Sequence, residues 1–246
     1  MYSIDVQGLT KKFEDKTAVD DLTLTINAGE LFGLLGPNGA GKTVTIKTLC
    51  GLLEPTSGSA KVNGFDVVRD AEKVHRIIGL CPQEPAYYSY LTGRENIEIF
   101  GAFQGLPSKT LKERSGKLIE AVGLGSEADR RAGKYSGGMV RRVSLAMALV
   151  HDPAVAFLDE PTVAMDPQSR HATWDIIRDL KKRGKTVVLT SHYIEEVEAL
   201  ADRVGIIDHG KLIALGTPDD LKQKHSAANL EEVFITMTGR KIREES

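Results

Sequence analysis

Residues 36–43 read G-P-N-G-A-G-K-T: a glycine, four residues, a second glycine, then lysine and threonine. No other stretch restricts the fold as much, because this pattern carries its chemistry only where a strand runs into a helix. The flanks supply both. Upstream, LFGLL at 31–35 is an unbroken apolar run of the kind that forms a strand buried on both faces, and downstream TVTIKTLC reads as a helix. The glycines let the backbone wrap an anion with its N–H groups, and the helix aims its partial positive N-terminus at the same charge. Gly36, Pro37, Asn38, Gly39, Ala40, Gly41, Lys42 and Thr43 are therefore the candidate phosphate cradle. Lys42 is placed to bridge the β- and γ-phosphates of a nucleotide and the Thr43 hydroxyl to ligate Mg2+.

Two further runs, AVAFL at 154–158 and TVVLT at 186–190, have the same doubly buried character, whereas LTLTI at 22–26 alternates, with Leu22, Leu24 and Ile26 on one face and threonines on the other. Buried strands alternating with helical stretches indicate a parallel sheet, and the alternating early strands indicate a sheet with one wet face. Between Gln83 and residue 154 only helical signals occur. Thr92 with Glu95 reads as a capping box, and Ser108 is placed to cap a helix with the stripe Leu111, Ser115, Leu118, Ile119 and Val122. Asp166 and Pro167 open a helix that Gly184 can close, and VGIIDHGKLIALG turns at His209-Gly210. The expected division is a core of 1–83 and 152–218, a helical insertion of 84–151 and a tail of 219–246.

Against 34 acidic residues stand 32 basic ones, a net charge of -2, which removes the electrostatic footprint of a nucleic-acid binder. No apolar run approaches the roughly 20 residues that cross a bilayer, and MYSIDVQGLTKKF has no signal-peptide or transit-peptide character, so a soluble intracellular chain is expected. Cys50 and Cys81 have neither metal-ligand nor redox spacing and read as packing residues.

A phosphate cradle does not name a reaction. The run AVAFL ends in Asp159-Glu160, and because neighbouring strand residues point to opposite sides, the two acids are expected to address different targets. Asp159 suits the Mg2+ hydration shell, and Glu160 suits a water in line with the γ-phosphorus, as general base. His192, just after TVVLTS, belongs to the sheet edge where parallel sheets place ligands, and can donate to the γ-phosphate or hold that water. At 135–139 stands YSGGM, immediately before the helical VRRVSLAMALV. A serine and two glycines at a helix N-terminus form a second anion site.

With these motifs in this order, the chain resembles the ATP-binding cassette (ABC) ATPases over nearly its whole length. GPNGAGKT corresponds to Walker A, Gln83 in CPQE to the Q-loop, YSGGM (Tyr135, Ser136, Gly137, Gly138, Met139) to the signature, VAFLDEP to Walker B, Asp166 in VAMDP to the D-loop, and His192 to the switch histidine. Phe13 stands where the family stacks an aromatic ring on adenine. The resemblance implies an α/β fold built on a P-loop ATPase core with a parallel sheet, an N-terminal antiparallel β subdomain and an inserted helical subdomain. It further implies ATP and Mg2+, with Thr43, Gln83 and Asp159 about the metal, and a head-to-tail homodimer or heterodimer in which each ATP lies between one Walker A and the partner's signature. Gln83 would link the helical insertion, where membrane partners dock, to the metal and the water.

YSGGM and the tail NLEEVFITMTGRKIR look most like the exporter branch that includes antibiotic-resistance and sodium-extrusion ATPases. In that tail Leu230, Val233, Phe234 and Met237 follow helical spacing, as for a helix packed on its own core or a dimer contact. Three positions depart from the family pattern. Val44 replaces a hydroxyl residue that would touch the α-phosphate, a loss of about 1 kcal/mol, while Ala164 and Met165 stand where glycine and leucine are usual before Asp166. The expected role is that of a peripheral subunit at the cytoplasmic face of the cell membrane, hydrolysing ATP for a separate transmembrane permease and binding no nucleic acid. A soluble ABC protein with a scaffold or regulatory role is the alternative. A P-loop small-molecule kinase would have no use for YSGGM or Glu160.

Overall fold

The computed structural model describes residues 1–239. The chain opens with β1 (Tyr2–Phe13), β2 (Lys16–Asn27), β3 (Leu31–Leu35), α1 (Lys42–Leu49), β4 (Ser57–Val62), β5 (Phe65–Asp66), α2 (Ala71–Ile77) and β6 (Ile78–Cys81). A helical stretch follows, with α3 (Gly93–Phe103), α4 (Ser108–Ala121) and α5 (Gly137–Leu149). The chain returns through β7 (Val155–Asp159), α6 (Pro167–Lys182), β8 (Thr186–Thr190), α7 (Ile194–Leu200), β9 (Arg203–Asp208), β10 (Lys211–Gly216), α8 (Pro218–His225) and α9 (Leu230–Thr238).

Two sheets result. One is antiparallel, in the order β2-β1-β4-β5; the other runs β10-β9-β3-β8-β7-β6 and is parallel except at the terminal β9–β10 hairpin. The expected α/β architecture is thus present. Strands β3, β7 and β8 lie in the middle of the second sheet, and their alternate side chains enter two different cores. Phe32, Leu34, Phe157 and Val188 pack with the antiparallel sheet and α1, including Ile4, Leu22 and Ile46. Leu31, Leu35, Leu158 and Leu189 pack on the opposite side with residues of α5, α6 and α7. Both faces are apolar because both faces are covered.

Local chemistry sets the ends of several elements. Thr92 and Glu95 form the reciprocal capping box at α3, Asp166 accepts from the Ser169 amide at the start of α6, and Gly184 leaves α6 with φ +76°. His209 and Gly210, at φ +46° and +80°, make the two-residue turn between β9 and β10. Ser108 does not cap α4. Pro107 takes the extended N-cap position, and Ser108 is already the first helical residue, with no side-chain cap. The stripe itself is as expected, with Leu111, Ser115, Ile119 and Val122 buried and Leu118 packed beside them. In α9, Leu230, Val233 and Phe234 are buried in the chain's own core and Met237 packs at its edge; residues 240–246, the end of the tail, lie outside the described residues. Both cysteines are free and buried.

Candidate active site

The cradle exists because close packing forbids a side chain at Gly36 and Gly41, while Gly39 has room for one but holds φ +80°. A Cβ on Gly36 would stand 2.4 Å from the Ile207 carbonyl oxygen, and one on Gly41 only 2.3 Å from that of Ala18. Gly41 also has φ +107°, a conformation that suits only glycine. The β9–β10 turn holds the loop from outside, since the Gly210 amide donates to the Ala40 carbonyl at 3.0 Å. Lys42 is nearly buried, and its ammonium donates back to the Gly36 and Pro37 carbonyls at 2.7 and 3.3 Å. Desolvation lowers its pKa, opposed by the fields of Glu160 and Asp159.

A cleft of about 330 Å³ opens over this loop, lined by Asn38 to Val44 together with Phe13, Lys16, Ala18, Gln83 and Glu160. Phe13, the last residue of β1, is 43% exposed at its rim, with the Lys11 ammonium 5.1 Å from the ring centroid. Beside the loop the polar groups converge. The Thr43 hydroxyl lies 2.8 Å from the Asp159 carboxylate and 3.4 Å from the Gln83 amide oxygen. Gln83 Nε2 stands 3.3 Å from the Glu160 carboxylate, and His192 Nε2 is 2.7 Å from the same oxygen. Thr190, at the end of β8, donates its hydroxyl to Asp159 at 2.5 Å and accepts the Glu160 amide at 3.0 Å.

The two acids part for a reason other than strand alternation. Glu160 has left β7 and sits at φ +55°, a left-handed conformation that costs a non-glycine residue of order 1 kcal/mol. The chain turns at that residue, so both carboxylates stay at the cradle's edge, Asp159 toward Thr43 and Glu160 toward Gln83 and His192.

Tyr135, Ser136, Gly137, Gly138 and Asp166 do not line this cleft. The Tyr135 hydroxyl donates to the Glu127 carbonyl, and burial raises its pKa. The Ser136 hydroxyl caps its own helix by accepting from the Met139 amide. Gly137 and Gly138 pack on the turn at Ala164, where a Cβ on Gly138 would come within 3.0 Å of the Ala164 carbonyl. Asp166, fully exposed, spends both oxygens on Ser169, whose hydrogen bonds hold its carboxyl below the usual range. Met165 is buried and accepts a hydrogen bond from Thr173.

Two polar residues central to the geometry had not been singled out from sequence. Arg141 in α5 is 3% exposed and donates to backbone carbonyls of Pro82, Gln83, Asp159 and Glu160. Its helical spacing with the buried Ser144, Leu145 and Ala148 was the available signal. Glu196 in α7 is fully buried and accepts from the Trp174 indole at 2.6 Å and the Thr162 hydroxyl at 3.0 Å. Burial pushes its carboxyl pKa up against the hydrogen bonds of Ser191, Trp174 and Thr162.

Comparison with known proteins identifies the family. Residues 19–163 match the family model described as ABC transporter. Over 220 residues, 89% of this chain and 67% of the relative, the sequence is 45% identical to the daunorubicin/doxorubicin resistance ATP-binding protein DrrA of Streptomyces peucetius. It is 41% identical over 232 residues, 94% of this chain and 76% of the relative, to the Nod factor export ATP-binding protein I of Rhizobium sp. (strain N33). A solved ATP binding subunit of an ABC transporter superposes with a TM-score of 0.88 at 28% identity, covering 95% of this chain and 98% of the other. The chain belongs to the ABC transporter family and is one of its ATP-hydrolysing, nucleotide-binding cassettes.

Proposed function

We propose that this ATPase is the energy-supplying subunit of an exporter, bound peripherally at the cytoplasmic face of the membrane to a separately encoded permease. The observation that carries the energy-supplying part of the reading is the convergence of Thr43, Gln83, Asp159, Glu160 and His192 at one end of the glycine-rich cradle. A hydroxyl, an amide oxygen and a carboxylate are all hard oxygen donors, the set that suits Mg2+ alongside phosphate oxygens. When bound there, Mg2+ neutralises charge on the β- and γ-phosphates. The chain's own groups do the rest. Backbone N–H groups of Gly41, Lys42 and Thr43, at the start of α1, hold the phosphates, Lys42 exchanges its loop carbonyls for the anion, and Phe13 stacks on the adenine. Val44 offers the α-phosphate no hydroxyl. Glu160 accepts the proton of the attacking water, and His192, hydrogen-bonded to that carboxylate, orients the water and the γ-phosphate.

The signature lies outside its own chain's cleft, which supports a head-to-tail dimer in which Tyr135, Ser136, Gly137 and Gly138 of one chain, backed by the Ala164–Asp166 turn, close on the nucleotide of the other. Identical chains can form both sites. An apolar cleft of about 300 Å³ lined by Leu52, Ile78, Leu80, Phe100, Met147 and Ala148 adjoins β6, the strand that leads to Gln83. This supports docking of the permease there, with Gln83 relaying the contact. Among the described residues no helix is long and apolar enough to cross a membrane. The relatives' names, drug resistance and Nod factor export, support outward transport.

The test mixes two inactive proteins. Lys42→Ala removes the phosphate-binding ammonium and Ser136→Arg fills the signature, so either homodimer has two defective sites. In a mixed dimer one site collects both defects and the other joins an intact cradle to an intact signature. Recovery of ATPase activity is expected. No recovery, in a mixture shown by tagged pull-down to contain mixed dimers, counts against the shared site or against its firing alone.

A further inference from the structure

We propose that Arg141 is a positioning residue for hydrolysis, tying the helix that begins at the signature to the turn that aims Glu160. The inference rests on the reading of Glu160 as the group that takes the water's proton. A guanidinium has N–H donors at Nε, Nη1 and Nη2 in a rigid planar fork. In Arg141 the Nε donates to the Glu160 carbonyl at 2.8 Å, Nη1 to those of Pro82 and Gln83 at 2.6 and 2.7 Å, and Nη2 to those of Asp159, at 2.6 Å, and Glu160. No carboxylate oxygen is among these hydrogen-bond partners. The charge is held by carbonyl dipoles, an arrangement that stabilises whichever backbone conformation points those carbonyls inward.

That conformation is the strained one. Glu160 at φ +55° needs its peptide groups held on both sides, and they are: Thr190 accepts from its amide, through hydroxyl and carbonyl oxygen, while Arg141 grips its carbonyl. Through Nη1 the same side chain holds the backbone of Gln83, the other residue that meets the Glu160 carboxylate. Ser136 is the N-cap of α5 and Arg141 lies about 1.4 turns further along the same helix, whose continuous hydrogen bonding links the two positions. A displacement of the signature is therefore delivered to the Gln83 and Glu160 backbones of the same chain, which in the shared-site dimer face the other nucleotide.

The experiment compares Arg141→Gln and Arg141→Lys with wild type, scoring each for a cooperative unfolding curve, for KM and kcat with MgATP, and again in a Glu160→Gln background by single turnover. A planar amide or a single ammonium cannot serve the carbonyls that the fork serves. The expected result is a kcat reduced about 100-fold for Gln, the scale of a small misplacement of a reacting group, and less for Lys, with KM within about twofold because the cradle is untouched. In the Glu160→Gln background the Arg141 substitutions should lose most of their effect, keeping only what their hold on Gln83 contributes. An unchanged kcat in the folded variants overturns the proposal, as does an undiminished effect when Glu160 is already gone, or a failure of both variants to fold, which makes Arg141 structural. If Glu160→Gln alone turns over at the wild-type rate, the role of Glu160 fails, a different result from a failure of Arg141.

Discussion

His192 Nε2 and the Glu160 carboxylate meet at 2.7 Å, with Gln83 Nε2 3.3 Å from the same oxygen. One oxygen thus receives two neighbours from different loops, which fixes the direction of the carboxylate before substrate arrives. Glu160→Gln keeps the shape and removes the proton acceptor, so MgATP binding should persist while steady-state hydrolysis falls by about 10²–10⁴-fold. Size exclusion with MgATP should show an accumulated dimer. Hydrolysis at the wild-type rate removes Glu160 from the role of base.

Phe13 lines the cleft and is 43% exposed, with no hydrogen-bonding group on its ring to take part in the polar convergence. Stacking is equally available in the ground and transition states, so Phe13→Ala should raise KM for ATP by about tenfold and leave kcat nearly unchanged. Steady-state kinetics decide this, and a large fall in kcat at saturating ATP would put the adenine elsewhere.

Ala164 adopts φ +60° in the turn that packs on Gly137 and Gly138. A Cβ in that conformation costs about 1 kcal/mol relative to glycine. Ala164→Gly should therefore raise stability by about 1 kcal/mol, or Tm by about 2–4 °C. Thermal unfolding without nucleotide measures it, and a lower Tm would mean that the alanine methyl is worth more to the signature contact than the strain costs.

Glu196 binds its proton more tightly in the fold than in the unfolded chain, because burial raises its carboxyl above the ordinary 4.5. The sign follows from linkage. Where the native state holds more protons than the unfolded one, stability falls as pH rises, here from the unfolded value upward through the raised folded value. Glu196→Gln removes this titration, so the stability of wild type relative to this variant should decline as pH rises above about 4.5. Urea unfolding of both proteins across that range is the check, and a constant difference would show that Glu196 is ionised in the fold.

Much of this protein is determined by short stretches of sequence. The glycine pattern at 36–43, the capping box at Thr92 and Glu95, the Asp166-Pro167 helix start and the doubly buried runs all act over a few residues, where propensity, capping and periodicity suffice. Ser108 shows the margin of such reasoning, since a proline one residue earlier took the cap position. The site was legible as a list of residues but not as an arrangement. Thr43 and Asp159 are separated by 116 residues in sequence and touch only because the sheet order sets β3 and β7 on either side of β8. The direction of the Glu160 carboxylate depends on a left-handed turn that no pattern of side chains announces, held by Thr190 from a neighbouring strand and Arg141 from a distant helix. Local sequence specifies backbone preferences within a turn or two. Which donors face which carbonyls across the fold is decided only when the strands and helices are stacked, because there every buried polar group must find its partner.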